Sequence, residues 1–399
     1  MASATTTEPS WLAARRERAA AASAELALPD ATVPGWEFTD LGGLDLDAFP
    51  PAPAEHEGGE SVFEDVAVPG GVTAIPLVQA VAERPELVER HLGSVVASEG
   101  DPFAARNDAE WSNGLFVHVA PGVAADGPVI ARAVQAAAER GTYWRTLIVV
   151  DEGAEAEVWE QYLSAAPDLG GLFNTVTELV VGPGARLRYV SAQALSEKAW
   201  IFGTQRAEVD RDGALEWVAL GFGSARGKVR METNLAGRGS EAKVTGAYVG
   251  RGRQHLDFDT TQEHAAPNTT SDLAFRGLLD GRSTAVWRGM IRVDPGAQQT
   301  DAFQESRNLL LSTRAHADAI PGLEIEANDV RCTHAAAVAQ IDREQLFYLR
   351  AHGLGFKQAQ RLVIEGFLQE LVERFPAGAL HNALSAALER RLATVLGDA

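Results

Sequence analysis

The sequence contains a single cysteine, Cys332, among 399 residues. One thiol cannot form a disulfide within the chain, which excludes a disulfide framework and is typical of a protein of the reducing cytosol. No run of eighteen or more apolar residues occurs, so the sequence predicts no membrane-spanning helix. The N-terminus has no apolar stretch after its positive charges, so no secretory signal is predicted. We therefore expect a cytoplasmic protein without a membrane partner.

Sequence motifs of several common enzyme classes are also missing. The phosphate-binding loop GxxxxGK[ST] is absent, so the chain is not itself a P-loop ATPase, and GxSxG, HExxH and CxxC are absent as well. Glycine-rich phrases at 237–239 and 250–252 are not followed by an amphipathic helix, which indicates strand turns rather than a dinucleotide fingerprint. The net charge of −20 repels phosphate backbones, so we expect no nucleic-acid partner.

Helical patterns dominate residues 1–111. Residues 10–26 are rich in helix formers, with Ser10 as the predicted N-cap. A second helical pattern covers residues 77–96, where Pro85 separates two short helices. Residues 45–59 contain three prolines and two glycines, which predicts a linker. We expect a helical N-terminal region that includes this linker.

Residues 112–340 have a different pattern and predict a mainly β core. Phrases with a glycine at positions 153, 184, 213 and 239, spaced 26 to 31 residues apart, precede several strand-like runs. Such a period predicts a stacked β-solenoid with about three short strands in each repeat, although an antiparallel sandwich also gives strands at such intervals. The clearest predicted strands are 115–119, 146–150, 156–163, 175–181, 186–192, 215–221 and 243–249.

Residues 341–399 return to a helical period. Asp342 is a predicted N-cap, and helices are expected over 343–352, 356–375 and about 380–396. The middle helix carries an apolar stripe, which serves either the chain's own core or the docking of a partner. The residues of this stripe are Phe356, Ala359, Leu362, Val363, Gly366, Phe367, Leu371 and Phe375.

Cys332 and His334 are the first candidate site. At positions i and i+2 of a strand, a thiol and an imidazole point to the same side. The pair is either part of an apolar core face, or a set of metal ligands, or a nucleophile and its base. No third group is placed to orient the imidazole, which disfavours a cysteine hydrolase.

His255, Asp257 and Asp259 are the second candidate site, because they alternate on one predicted strand face. Such a face suits a metal ion or a basic partner, or is simply solvated. Elsewhere, the run 307–312, RNLLLS, predicts a strand that is buried on both faces.

Residues 277–366 contain phrases that are specific to one family. RGLLDGRSTAVWRGMIRV, GAQQTDAFQESRNLLLS, GLEIEANDVRCTHAAAVAQID, EQLFYLRAHGL and EGFLQEL resemble, in order and spacing, the SufB/SufD family of iron–sulfur assembly scaffolds. The resemblance is strong over residues 255–375, weaker in the preceding strands, and includes PGWEFTDL near the N-terminus. Within the family the chain is most like SufD: it has RNLLLS where SufB has a QCDS-like segment, and RCTHA where SufB has EHEAT.

The resemblance implies a right-handed parallel β-helix core with α-helical regions at both ends. It implies pairing with a SufB-like sibling scaffold, and docking of a SufC-like ABC-type ATPase on the C-terminal helices, with Phe356, Leu362, Val363, Phe367 and Leu371 as contacts. The family residue that faces the nascent cluster falls on His334, beside Cys332. The family usually has CSHGAT here, whereas this chain has an alanine run at 335–337, which puts the local turn in doubt.

One cysteine cannot hold a cluster, because iron–sulfur clusters usually bind several thiolates. The first hypothesis is therefore a non-enzymatic scaffold on which His334 is a metal ligand in trans with a partner, around a transient iron–sulfur cluster. Whether FAD binds the assembled complex stays open. A β-helix carbohydrate-active enzyme that uses Asp257, Asp259 and Glu263 and a homodimeric β-helix binding module are the alternatives.

Overall fold

The structure, a computed structural model, describes residues 8–52, 68 and 70–397. Most of the chain between residues 113 and 340 is extended and forms two sheets. The strands of the described part are β1 Val72–Pro76, β2 Asn113–Val119, β3 Ala124–Gln135, β4 Gly141–Val150, β5 Glu155–Ser164, β6 Gly171–Val181, β7 Arg186–Ala194, β8 Ala199–Val209, β9 Ala214–Gly221, β10 Arg226–Leu235, β11 Glu241–Gly250, β12 His255–His264, β13 Thr270–Leu279, β14 Thr284–Val293, β15 Asp301–Leu310, β16 His316–Ile325 and β17 Arg331–Gln340.

The two sheets form a parallel β-solenoid of about 8 turns. Even-numbered strands and β1 make a nine-stranded sheet, and odd-numbered strands from β3 to β17 make an eight-stranded sheet. His255 of β12 pairs with Arg226 of β10 and Thr284 of β14, so these successive turns are 29 residues apart. The predicted solenoid is confirmed. Each turn holds two strands of about ten residues, however. The expected three short strands were wrong, because the predicted short runs are parts of longer strands, as 146–150 is of β4.

One corner of the solenoid explains the repeated glycine phrases. Gly153, Gly184, Asp212 and Gly239 all have positive φ, a conformation that glycine adopts at little cost. The N–H of each of them donates to a carbonyl in the next turn, as in Gly153 to Pro183 (2.9 Å) and Asp212 to Arg238 (3.0 Å). The glycine period was therefore a real signal of stacked corners, although in the third repeat the left-handed residue is Asp212 rather than the expected Gly213.

The N-terminal region packs on the outer face of the nine-stranded sheet. Its helices are α1 Ser10–Glu25, α2 Leu77–Glu83, α3 Pro85–His91 and α4 Pro102–Glu110, with a short 3-10 helix at Leu46–Ala48. Buried Glu178 of β6 accepts hydrogen bonds from three backbone N–H groups that follow α3, and it pairs with buried Arg145 at 2.5 Å. Because these hydrogen bonds cross from the sheet to the segment after α3, the N-terminal helices are held against the sheet.

Three N-terminal expectations need correction. The N-cap of α1 is Pro9, so Ser10 already lies in the first turn. Strand β1, antiparallel to β2, was not predicted. The expected linker at 45–59 includes the 3-10 helix, and Pro51 forms a bridge with Gly141, while residues 53–59 lie outside the described residues.

The C-terminal helices pack on the eight-stranded sheet. They are α5 Arg343–Ala351, α6 Phe356–Val372 and α7 Ala379–Leu396. The buried residues of α6 are Ala359, Ile364, Leu368, Leu371 and Val372, so the covered face overlaps the predicted stripe at Ala359 and Leu371 only. Since both helical regions share apolar clusters with the solenoid, the division at 1–111, 112–340 and 341–399 stays a prediction.

Candidate functional site

The C-terminal end of the solenoid is open. Strands β16 and β17 are the last strands of their sheets, and each pairs on one side only. Nearly every side chain of β17 is exposed, and apolar side chains remain accessible there: Leu323 is 38% exposed and Val338 is 43% exposed. Two unpaired edge strands with accessible apolar side chains are suited to pairing with another chain. We call β16 and β17 together the open end.

His334 and Cys332 lie on the inward side of β17 at this open end. In the register, His334 pairs with Gln304 and Cys332 with Ala302. The Gln304 amide donates to the carbonyls of Gly289 and Gly322 in the opposite sheet, both at 3.1 Å, so this row of side chains faces the interior of the solenoid. Because no further turn covers the row, His334 is exposed and Cys332 is half-buried. The expected shared face is present. Cys332 packs against the apolar cluster around Ala302, whereas His334 is exposed and is not a core residue.

The chemistry of this pair is incomplete within the chain. Burial raises the pKa of the Cys332 thiol, and the Asp301 carboxylate raises it further, so the thiol stays protonated at neutral pH. No described residue makes a hydrogen bond to the His334 ring, which leaves a Cys–His nucleophile pair without an orienting group. Among the described residues, no group of three or more histidine, cysteine or acidic side chains is arranged to hold a metal ion. The described residues alone therefore do not form a metal site at His334.

The alanine run after His334 does not disturb the backbone. Ala335 and Ala337 continue the regular parallel pairing of β17 with Glu305 and Arg307 of β15. The doubt about a local turn is removed, because the segment is ordinary strand.

The second candidate site, around His255 and Asp257, is closed by the N-terminal strap, which we define as residues 34–41. The Thr39 hydroxyl lies 2.9 Å from His255 Nε2 and donates to the Asp257 carboxylate. The Lys228 ammonium binds the same carboxylate at 3.0 Å. These groups are enclosed rather than solvated, so the expectation of a solvated face was wrong.

Electrostatics at this second site follow from its enclosure. Burial lowers the pKa of His255 to about 4. Burial raises the pKa of Asp257 to about 6, although Lys228 acts in the opposite direction. Glu263 pairs with Arg206 at 3.0 Å, and Asp259 lies 3.4 Å from Lys228. No two of these carboxylates face an open groove, so the geometry does not support a glycosidase.

The predicted partner-docking residues of α6 separate into two groups. Phe356 and Leu362 are exposed, and Val363 and Phe367 are half-buried. Leu371 is 1% exposed and lies in the apolar cluster beneath α6, so it is not available to a partner.

Two aromatic residues of α5 were missed by the sequence reasoning. Phe347 is 74% exposed and Tyr348 is 62% exposed, whereas the adjacent Leu346 is buried. The signal was present in the phrase LFYL, since three successive large apolar side chains cannot all face one side of a helix. Phe356 and Leu362 of α6 are exposed as well, and we call these four residues the aromatic surface.

Comparison with known proteins identifies the family of the chain. Residues 133–367 match the family described as "SUF system FeS cluster assembly, SufBD core domain". The chain belongs to the SufBD family. This segment includes both strands of the open end and all of α5, so the site described above lies within the family's core domain.

Curated relatives agree with this assignment. The iron–sulfur cluster assembly protein SufD of Bacillus subtilis is 30% identical over 325 residues, which are 81% of this chain and 74% of that protein. A SufBD family protein of Staphylococcus haemolyticus is 29% identical over 298 residues, or 74% of this chain and 64% of the relative. The chain thus spans less than two thirds of the staphylococcal proteins. No described helix has the length and apolarity needed to cross a membrane.

Proposed function

We propose that this SufBD family protein is a non-catalytic, SufD-like scaffold subunit that works in the cytoplasm. It pairs with a SufB-like sibling, binds a SufC-like ABC-type ATPase, and helps to build and transfer iron–sulfur clusters. The observation that supports this most directly is the placement of His334 and Cys332 at the open end, with a ligand set that the chain alone cannot complete.

The open end supports the pairing. Strands β16 and β17 offer unpaired backbone groups along two adjacent edges, and a sibling solenoid with the same fold presents matching edges. Pairing covers Leu323 and Val338 and encloses His334 between the two chains. The His334 imidazole then lies at the interface, where both chains can contribute ligands to one cluster.

His334 supplies the chemistry of this subunit. A neutral imidazole binds iron through a ring nitrogen, and it replaces one of the thiolates that a cluster otherwise requires. The cluster is cargo, held between the chains and passed on. The Cys332 thiol becomes a ligand only when a neighbouring metal displaces its proton. The predicted FAD stays a prediction.

The aromatic surface supports the docking of the ATPase. Phe347, Tyr348, Phe356 and Leu362 remain exposed, while the opposite faces of α5 and α6 are occupied. Exposed aromatic clusters of this kind are typical of interface centres.

Substitution of His334 tests the proposal. We expect that His334→Ala leaves the assembly with the sibling and the ATPase intact but abolishes cluster formation in the complex, measured anaerobically by iron and sulfide content. His316→Ala is the matched control, because His316 is an exposed histidine on the neighbouring edge strand. Normal cluster yield in His334→Ala would rule out the ligand role.

The homodimeric binding module remains the second candidate. The same unpaired edges that suit a sibling also permit two copies of this chain to pair. Native mass spectrometry of the isolated chain and of the chain mixed with the sibling distinguishes the homodimeric module from the sibling-paired subunit. A homodimer that persists in the presence of the sibling favours this alternative.

A further inference from the structure

Three arginines occupy the same position in successive turns of the solenoid. Arg253, Arg282 and Arg314 each lie two residues before a position in one register row, His255, Thr284 and His316. All three are exposed on the turns that lead from the eight-stranded to the nine-stranded sheet. Neighbouring strands of a sheet are about 4.8 Å apart, so the three residues form a row along the solenoid axis. We call this row the arginine ladder.

The arginine ladder differs from the other cations of the solenoid surface. On the sheet faces, Arg188 and Arg206 each contact two carboxylates. No described carboxylate makes an ion pair with Arg253, Arg282 or Arg314.

Carboxylates near the ladder in the fold form no ion pair with it. Glu197 binds Arg251 and Arg391, and Asp318 binds His316. Asp280, two residues before Arg282, forms no ion pair with a described residue. Arg226, one turn earlier, is also exposed and stacks on Trp200 rather than on an acid. Four like charges in successive turns repel one another, in a chain whose net charge is −20.

We propose that the arginine ladder is a docking surface for an acidic polypeptide segment of another protein. Guanidinium groups bind carboxylates in a bidentate manner, and three rungs extend over about 10 Å, the length of a short extended segment with acidic residues on one side. This inference is separate from the proposed cluster function. The ladder ends at Arg314, directly before β16, so the bound segment lies beside the open end.

The shape and charge of the surface decide the class of partner. The ladder lies on exposed turns rather than in a cleft, and a small anion is normally held by groups that converge around it. A nucleic acid would extend beyond the three rungs, and the net charge of −20 repels its phosphates. A short acidic segment contacts the ladder alone, and this favours a polypeptide.

The test uses the full chain and a fluorescent peptide of five Glu-Ala repeats, with binding measured by anisotropy at low and physiological salt. We compare the wild type with the triple variant Arg253→Glu, Arg282→Glu, Arg314→Glu. The control is Arg186→Glu, Arg211→Glu, Arg238→Glu, which changes the net charge by the same amount at exposed positions on the other corner. Circular dichroism verifies that all three proteins are folded.

We expect salt-sensitive binding by the wild type, a loss of at least about tenfold in the ladder variant, and little loss in the control. Three results would overturn the proposal. They are absence of binding to the wild type, equal loss in both variants, and preferential binding of tripolyphosphate or a single-stranded oligonucleotide of equal charge over the peptide.

Discussion

Glu160 carries a carboxylate into the interior of the solenoid. Its two oxygens accept hydrogen bonds from Trp144, Thr146, Tyr162 and Tyr189 at 2.5 to 3.1 Å. All four donors are neutral, and no described lysine or arginine pairs with the carboxylate. Burial therefore raises its pKa above the ordinary value of 4.5, against the effect of the four donors.

This raised pKa predicts a pH dependence of stability. The folded protein keeps the proton of Glu160 at a pH where the unfolded chain has lost it, so the free energy of unfolding falls as pH rises from 4.5 through the folded pKa. In Glu160→Gln this component of the pH dependence is absent, because the amide does not titrate. Urea unfolding at several pH values across this range gives the free energy of unfolding of the wild type and of Glu160→Gln. If the two free energies changed with pH in parallel, the expectation would be contradicted.

The corner residues predict opposite effects of two substitutions. Asp212 has a φ of 56°, so we expect Asp212→Gly to raise the free energy of unfolding by about 0.5–1 kcal/mol. Gly153 has a φ of 65°, with open space where a Cβ would lie. Gly153→Ala is therefore expected to lower stability by about 1 kcal/mol through backbone strain alone. Thermal unfolding compares both variants with the wild type, and the same sign for both would contradict this account of the corner.

At the scale of elements, the C-terminal helices have an exposed face, which we propose binds the ATPase, and a buried face, which packs on the sheet. We expect Phe347→Ala with Tyr348→Ala to leave stability unchanged and to weaken ATPase binding by at least about tenfold, because both side chains are exposed. Leu371→Ala, in contrast, is expected to cost about 2–5 kcal/mol of stability, because it leaves a cavity beneath α6. Pull-down with the ATPase and urea unfolding measure the two effects. Unchanged ATPase binding in the aromatic variant would exclude the aromatic surface as the docking site.

The sequence specified these elements well where the determinant is local. A left-handed corner favours glycine, or a polar residue that tolerates a positive φ such as Asp212 or Asn268, and the glycines at this corner produced a visible period. The i, i+2 spacing of Cys332 and His334 likewise fixed their common face. Burial was harder to foresee, because it depends on what lies in the next turn. His334 is exposed only because β17 is the last strand of its sheet. The sequence around His334 does not predict that the solenoid ends at this strand.

The helical stripe of α6 shows the same limit. Its apolar spacing identified a helix with one apolar side, but the covered face depends on the angle at which α6 crosses the sheet. That angle depends partly on ion pairs between residues far apart in the sequence, such as Arg276 of β13 with Glu370 of α6 at 2.9 Å. The stripe therefore included Leu371, which is core, beside Phe356, which is exposed.

At the scale of the whole molecule, the two ends of the solenoid differ. The N-terminal helices and β1 pack against the first strands of the nine-stranded sheet, while β16 and β17 at the other end each pair on one side only. We expect Leu323→Asp with Val338→Asp to prevent pairing with the sibling while it changes stability by less than about 1 kcal/mol, because both side chains are partly exposed. Native mass of the mixed chains measures the pairing.

The control for this experiment is Val78→Asp, at an exposed apolar position of α2 in the N-terminal region. Intact pairing in the double variant, or equal loss in the control, would place the partner elsewhere on the molecule.

The most direct test of the central claim is anaerobic affinity purification of the chain from its own cells, with co-purifying proteins identified and iron and sulfide quantified. The account predicts recovery of a sibling scaffold and an ATPase together with iron and sulfide, and loss of the metal, but not of the partners, in His334→Ala. Recovery of the chain alone and free of iron would contradict it.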